Sequence, residues 1–142
     1  MLMYAARRLD QYREIDLKAQ VEEADGHRLV QMLFDGALER IAAARAALEA
    51  GNLARKGELV GKAVTILGGL RETLDFESGG ELAENLDALY GYMQKKLLEA
   101  HVKNDPQGLK EVIDLLRPLA EAWRSIPEST RRAFRQGGLG AT

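Results

Sequence analysis

The most constraining feature of the sequence is an apolar repeat, stepping alternately by four and three residues, that recurs in four separate stretches. Val30, Phe34, Ala37, Ile41, Ala44 and Leu48 carry it first, and Val60, Ala63, Leu67, Leu70 and Leu74 carry it next. Leu82, Leu86, Leu89, Met93 and Leu97 form the third run; Leu109, Val112, Leu116, Leu119, Trp123 and Ile126 form the fourth. Such spacing places one apolar stripe on each of four helices, and each stripe must be buried against the others. The sequence predicts an all-α fold, an antiparallel four-helix bundle with short loops.

Turn-forming residues separate the runs: Asp25-Gly26, Gly51-Asn52, Ser78-Gly79-Gly80, Asn104-Asp105-Pro106 and Pro127. Asp105 suits an N-cap with Pro106 at the first helical position, where a missing N–H costs nothing. Gly51 suits the left-handed cap that ends the first helix. Pro118 falls inside the fourth run, where it costs roughly 3 kcal/mol. The stripe continues in phase through Leu119 and Trp123, so a kink between Asp114 and Pro118 is expected, not a helix end. Residues 1–15 read as an N-terminal appendage, with Leu9, Tyr12 and Ile15 able to dock on the bundle. Residues 127–142 read as a short helix around Ala133 and Phe134 followed by a loose tail. The whole chain, 1–142, is expected to form a single domain.

Composition excludes several classes of function. With 20 basic and 22 acidic residues the formal net charge is −2, which offers nothing broad to a nucleic acid. The chain has no cysteine, hence no disulfide framework, thiolate metal site or cysteine nucleophile, and this fits a reducing compartment such as the cytoplasm. Arg7, Arg8 and Asp10 interrupt the start before any apolar run reaches signal-peptide length, and no stretch is long enough to insert in a membrane.

Enzymatic signatures are nearly absent. His27 stands at the entry of the first helix and His101 near the end of the third; both read as surface or helix-end residues. Neither belongs to a Glu-x-x-His or His-Glu-x-x-His pattern, so no metal is expected. A histidine phosphotransfer or other signalling bundle is the alternative reading, but His101 lies beside a helix break instead of in mid-helix. Gly68-Gly69, Gly79-Gly80 and Gly137-Gly138 lack the preceding strand and following Lys-Ser/Thr of a phosphate loop. No catalytic residue, metal site or cofactor is expected.

Three helix edges carry residues that a self-sufficient bundle does not require. Gly57, Gly61 and Gly68 share an edge of the second helix, and each costs about 1 kcal/mol relative to alanine. Either a neighbouring helix or a partner segment must approach closely there. On the third helix Asn85 and Tyr92 flank Leu89 on one edge, where an amide can bond an incoming backbone or simply bridge within the bundle. On the first helix Leu29, Met32 and Gly36, with Ala43 and Ala47, form a shallow second apolar edge able to accept another helix. The residues alone describe a helical bundle with surplus apolar surface, suited to interaction.

The ordered set of motifs resembles the flagellar secretion chaperones of the FliS family. It comprises Tyr12 with Ile15, the run from His27 to Leu38, Lys62-Ala63, Gly79-Gly80-Glu81-Leu82-Ala83, Asn85-Leu86 and Leu89-Tyr90-Gly91-Tyr92-Met93. It continues through Leu97-Leu98-Glu99-Ala100, Asn104-Asp105 and Leu115-Leu116 to Ala122-Trp123. The chain departs from the family pattern in having Asp25-Gly26 where Ser-Pro is usual and His101 where asparagine is common; Pro118 is also unexpected. The resemblance implies a non-enzymatic cytoplasmic chaperone that binds the disordered C-terminal segment of flagellin, prevents premature polymerisation and assists delivery to the flagellar type III export apparatus. It also implies that the segment with Leu9, Tyr12 and Ile15 caps the binding surface and docks on an export component. The exposed apolar edges further permit self-association of the free protein.

Overall fold

The computed structural model describes residues 26–126. Leu9, Tyr12, Ile15, Asp25 and the short helix expected after Pro127 lie outside the described residues. Within them the chain forms helices α1 (Gly26–Glu49), α2 (Leu53–Glu72), α3 (Phe76–Lys103) and α4 (Pro106–Arg124).

The helix ends follow the local chemistry of the expected turns. Gly51 adopts φ 77°, and the Gly51 and Asn52 N–H groups return to the carbonyls of Leu48 and Ala47 at 3.0 and 2.8 Å. This satisfies the last carbonyls of α1. Asn52 then caps α2 by accepting from the Arg55 N–H at 3.1 Å. Asn104, left-handed at φ 51°, closes α3 in the same way, with the Asp105 N–H on the Ala100 carbonyl at 2.9 Å. Asp105 caps α4 through the Gln107 N–H, and Pro106 opens that helix.

Two expectations about α3 are corrected. Ser78-Gly79-Gly80 does not precede the helix: Asp75 caps it by accepting from the Glu77 and Ser78 N–H groups, and Phe76 begins it. Hydrogen bonds from Ser78 hold the Asp75 carboxyl below the usual carboxylate range. The glycine pair becomes an internal corner at Gly80, with φ 52° and ψ −127°, a conformation open essentially to glycine. Leu82, assigned to the core stripe, is 66% exposed. Ala83, Tyr90 and Leu97, spaced by seven, take the inward positions together with Met93 and Ala100. The stripe is thus rotated toward residues that are smaller or bear a hydroxyl, and Leu82 falls on its edge. Pro118 does not end α4, which runs on to Arg124 with the proline facing solvent.

The helices form a ring in which α1 packs on α2 and α4, and α3 packs on α2 and α4. The α1/α2 contact is the broadest and the α3/α4 contact the narrowest. Neighbours are antiparallel: His27 meets Trp123, Lys56 meets His101, and Tyr92 meets Glu111. Phe34, Ile41, Leu67, Leu70, Met93, Leu97, Leu109 and Leu116 fill the centre.

Among the described residues, two polar side chains are buried with it, His27 and Lys56. His27 is therefore not a surface residue. Its ring stacks on Trp123 with centroids 5.4 Å apart, and its Nε2 donates to the Trp123 carbonyl at 2.7 Å. Lys56 donates from Nζ to the His101 carbonyl at 2.9 Å and to the Asn104 side chain. Its charge thereby meets the negative end of the α3 dipole.

Candidate partner-binding surfaces

The structure distributes the candidate residues over three edges of the ring. On the α1/α2 edge, Leu29, Met32 and Gly36 are half-buried. A Cβ at Gly36 would lie in ordinary contact with Ile66 Cδ1 at 3.5 Å and an Arg40 nitrogen at 3.4 Å, so the bundle's own side chains already line this glycine. Leu33 approaches Gly69 from the other direction. Much of this edge is ordinary helix packing.

The α2/α3 edge resolves the two readings of its glycines residue by residue. A Cβ at Gly57 would meet the His101 ring at 2.9 Å, and one at Gly68 would meet Gln94 at 3.4 Å. Gln94 Nε2 donates to the Val64 carbonyl at 3.0 Å, while Arg71 donates to Gln94 at 3.0 Å and to both Asp87 oxygens at 2.6 and 3.1 Å. The Arg71 guanidinium holds the Asp87 carboxyl below the usual carboxylate range. Gly57 and Gly68 therefore admit polar side chains of the neighbouring helix. The ring of His101 packs on α2 and is half-buried, unlike an exposed mid-helix phosphoacceptor.

Gly61 differs: it is exposed and nothing lies within 4 Å of its Cβ position. Gly61→Ala is expected to raise the unfolding free energy by about 1 kcal/mol, the helix-propensity difference. Gly57→Ala should fall short of that gain because His101 must move. Thermal and urea unfolding of the two variants side by side check the contrast.

The α3/α4 edge carries open apolar surface. Near the connecting loop the helices touch closely, since a Cβ at Gly108 would lie 2.8 Å from Ala100 Cβ. Farther along, Leu82 and Tyr92 are 66% and 47% exposed, and Asn85 is exposed beside them. Leu89, Leu115 and Leu119 form a half-buried floor against the core. Their edge is fixed by Glu111, which reaches α3, because Leu115 and Leu119 follow it at one-turn intervals. The Tyr92 hydroxyl donates to Glu111 Oε2 at 2.5 Å, and Lys96 Nζ stands 4.0 Å from Oε1. The hydrogen bond to this carboxylate raises the Tyr92 pKa from its ordinary value.

The structure thus joins Asn85, Leu89 and Tyr92 on one edge, and separates them from Leu29, Met32 and Gly36 on the opposite edge of the ring. Leu115, Leu119, Glu111 and Lys96 were missed from the sequence. The signal for the leucines was present in Leu115 beside Leu116 and in Leu119 one turn later, a stripe broader than a core needs. Among the described residues no group of three or more His, Asp or Glu could hold a metal ion. None of the described helices is long and apolar enough to cross a membrane.

Comparison with known proteins places the chain in a family. The family described as flagellar protein FliS matches residues 8–130. The chain belongs to the FliS family. It is 50% identical over 124 residues to the flagellar secretion chaperone FliSB of Pseudomonas aeruginosa, an alignment covering 87% of this chain and 98% of the relative. It is 43% identical over 119 residues to the flagellar secretion chaperone FliS of Vibrio cholerae, covering 84% and 88%. With the FliS of Salmonella typhimurium the identity is 42% over 135 residues, covering 94% and 98%. These FliS relatives are named as chaperones of flagellar secretion, and they match nearly from end to end.

Proposed function

We propose that this chain is a cytoplasmic export chaperone that binds the disordered C-terminal segment of flagellin, keeps it from polymerising prematurely and assists its delivery to the flagellar type III export apparatus. The observation that carries the reading is the α3/α4 edge, where exposed Leu82, Asn85 and Tyr92 border a floor of Leu89, Leu115 and Leu119. An amphipathic segment laid there gains apolar burial, and Asn85 can bond its backbone. Open Gly61 on the α2/α3 edge, and Leu29 and Met32 on the α1/α2 edge, offer further contacts to a segment that wraps the bundle. Ordering it costs about 2–5 kcal/mol, which an extended contact offsets while leaving the complex releasable.

Isothermal titration with a peptide of the flagellin C-terminal segment tests this. Saturable binding with a negative heat-capacity change is expected. Leu82→Asp should weaken it about tenfold by placing a charge in the contact. Because Leu82 lies outside the core at 66% exposure, the melting temperature should hardly change. A peptide that binds the variant and the unaltered chain equally well would remove the α3/α4 edge from the reading.

Within the single domain, residues 1–15 act in this reading as a cap. Leu9, Tyr12 and Ile15 cover apolar surface until flagellin arrives and then dock on an export component. The chain enters α1 at the same end of the bundle where α3 begins with exposed Phe76 and Leu82, which supports that role. Deleting residues 1–12 should raise affinity for the flagellin peptide; an unchanged or lower affinity counts against the cap. Without flagellin, the same apolar edge can meet a second copy of the chain.

A further inference from the structure

Tyr90 and Tyr92 lie in the same stretch of α3 with opposite fates. Tyr90 is 3% exposed in the core, whereas Tyr92 is 47% exposed and reaches across to α4 to bond Glu111 at 2.5 Å. Lys96, one turn farther on α3, faces the other oxygen of the same carboxylate at 4.0 Å. These side chains cross the ring at its narrowest helix contact, just beyond the floor of Leu89, Leu115 and Leu119. The tie spans α3 and α4 one turn from Leu89 and Leu115, in line with that floor.

We infer that Tyr92 and Glu111 form a gate across the α3/α4 edge, closed in the free protein and opened when the flagellin segment seats there. The inference rests on the docking proposed above. A segment following the leucine floor toward Lys96 must displace the Tyr92 ring. The tie is exposed to water, so opening it is cheap and the gate delays binding without forbidding it. Once swung out, the ring can lie against the incoming segment, and Glu111 can accept from its backbone or a basic side chain.

Tyr92→Phe keeps the ring and removes the tie. Stopped-flow mixing with the flagellin C-terminal peptide should show faster association, with affinity rising by up to about fivefold, the ceiling for an exposed charged contact. Glu111→Gln supplies a second variant, and the double variant should match the single ones, because both break the same tie. An environment-sensitive apolar dye gives a readout without peptide: its binding to either free variant should exceed that to the unaltered chain. Slower or unchanged association in both variants, with unchanged dye binding, overturns the gate. If the unaltered chain does not bind the peptide while dye binding rises in the variants, the docking reading fails and the gate survives as a property of the edge.

Discussion

Replacing Trp123 with alanine is expected to lower the unfolding free energy by about 3 kcal/mol, toward the lower end of the range for removing a large aromatic from a packed site. Trp123 is only half-buried, but its ring holds down the first turn of α1. It stacks on His27 at an interplanar angle of 11°, and its Nε1 donates to the His27 carbonyl at 2.8 Å. In return the His27 Nε2 donates to the Trp123 carbonyl, so Nε2 carries the proton. Alanine removes the stack and one of the two hydrogen bonds, and uncovers a buried imidazole. Trp123→Phe keeps an aromatic face and should cost about 1 kcal/mol, the worth of the lost N–H bond. Urea unfolding followed by circular dichroism is the suitable measurement, because Trp123 is the only tryptophan and both variants lack its fluorescence. Equal stability of the two variants would show that the stack contributes nothing.

The same contact marks a limit of sequence reasoning. The stripe through Trp123 and the helix entry at His27 were both legible, yet their pairing depends on which helix ends lie side by side. His27 reads as a surface or helix-end residue; it does stand at the helix end, but the α1/α4 pairing buries it. The helix ends were readable wherever one residue dictates the turn, as at Gly51 with φ 77° or Asp105 followed by Pro106. Ser78-Gly79-Gly80 misled because glycine serves both as a helix boundary and as an internal corner, and Asp75 had already started α3.

The glycine edge of α2 shows how far periodicity carries toward a site. Gly57, Gly61 and Gly68 share a face, which their spacing revealed, but spacing does not reveal the register of α3. That register brings His101 over Gly57 and Gln94 over Gly68, and leaves Gly61 open. Likewise Asn85, Leu89 and Tyr92 could be grouped from one helix alone, since they share its edge. Leu115, Leu119 and Glu111 come from the facing helix, so their membership in the same surface is a tertiary fact.

Stability is expected to fall steeply between pH 10 and 12, and Tyr90 should account for about 2–3 kcal/mol of that fall. Its ring lies in the core, tilted at 57° to Phe34 with centroids 6.3 Å apart. Burial disfavours the phenolate and pushes the Tyr90 pKa from 10.0 to about 12. The folded-state pKa is above the unfolded one, so this contribution is complete below about pH 10 and is lost as pH rises through the folded value. Above pH 10 the unfolded chain releases the proton while the folded chain retains it, which favours unfolding by about 1.4 kcal/mol per pH unit. Alkaline pH acts on more than one group in any protein, so the informative quantity is the difference between the unaltered chain and Tyr90→Phe. Near pH 8 the two should differ little; by pH 12 the variant should be the more stable by about 2–3 kcal/mol relative to that baseline. A difference independent of pH would mean that the phenol is not held neutral by the core. Paired with Tyr92→Phe, the experiment separates two roles two residues apart. Loss of the inner hydroxyl should alter the pH dependence of stability and leave flagellin-peptide association unchanged, whereas loss of the outer one should speed association and leave the alkaline transition in place.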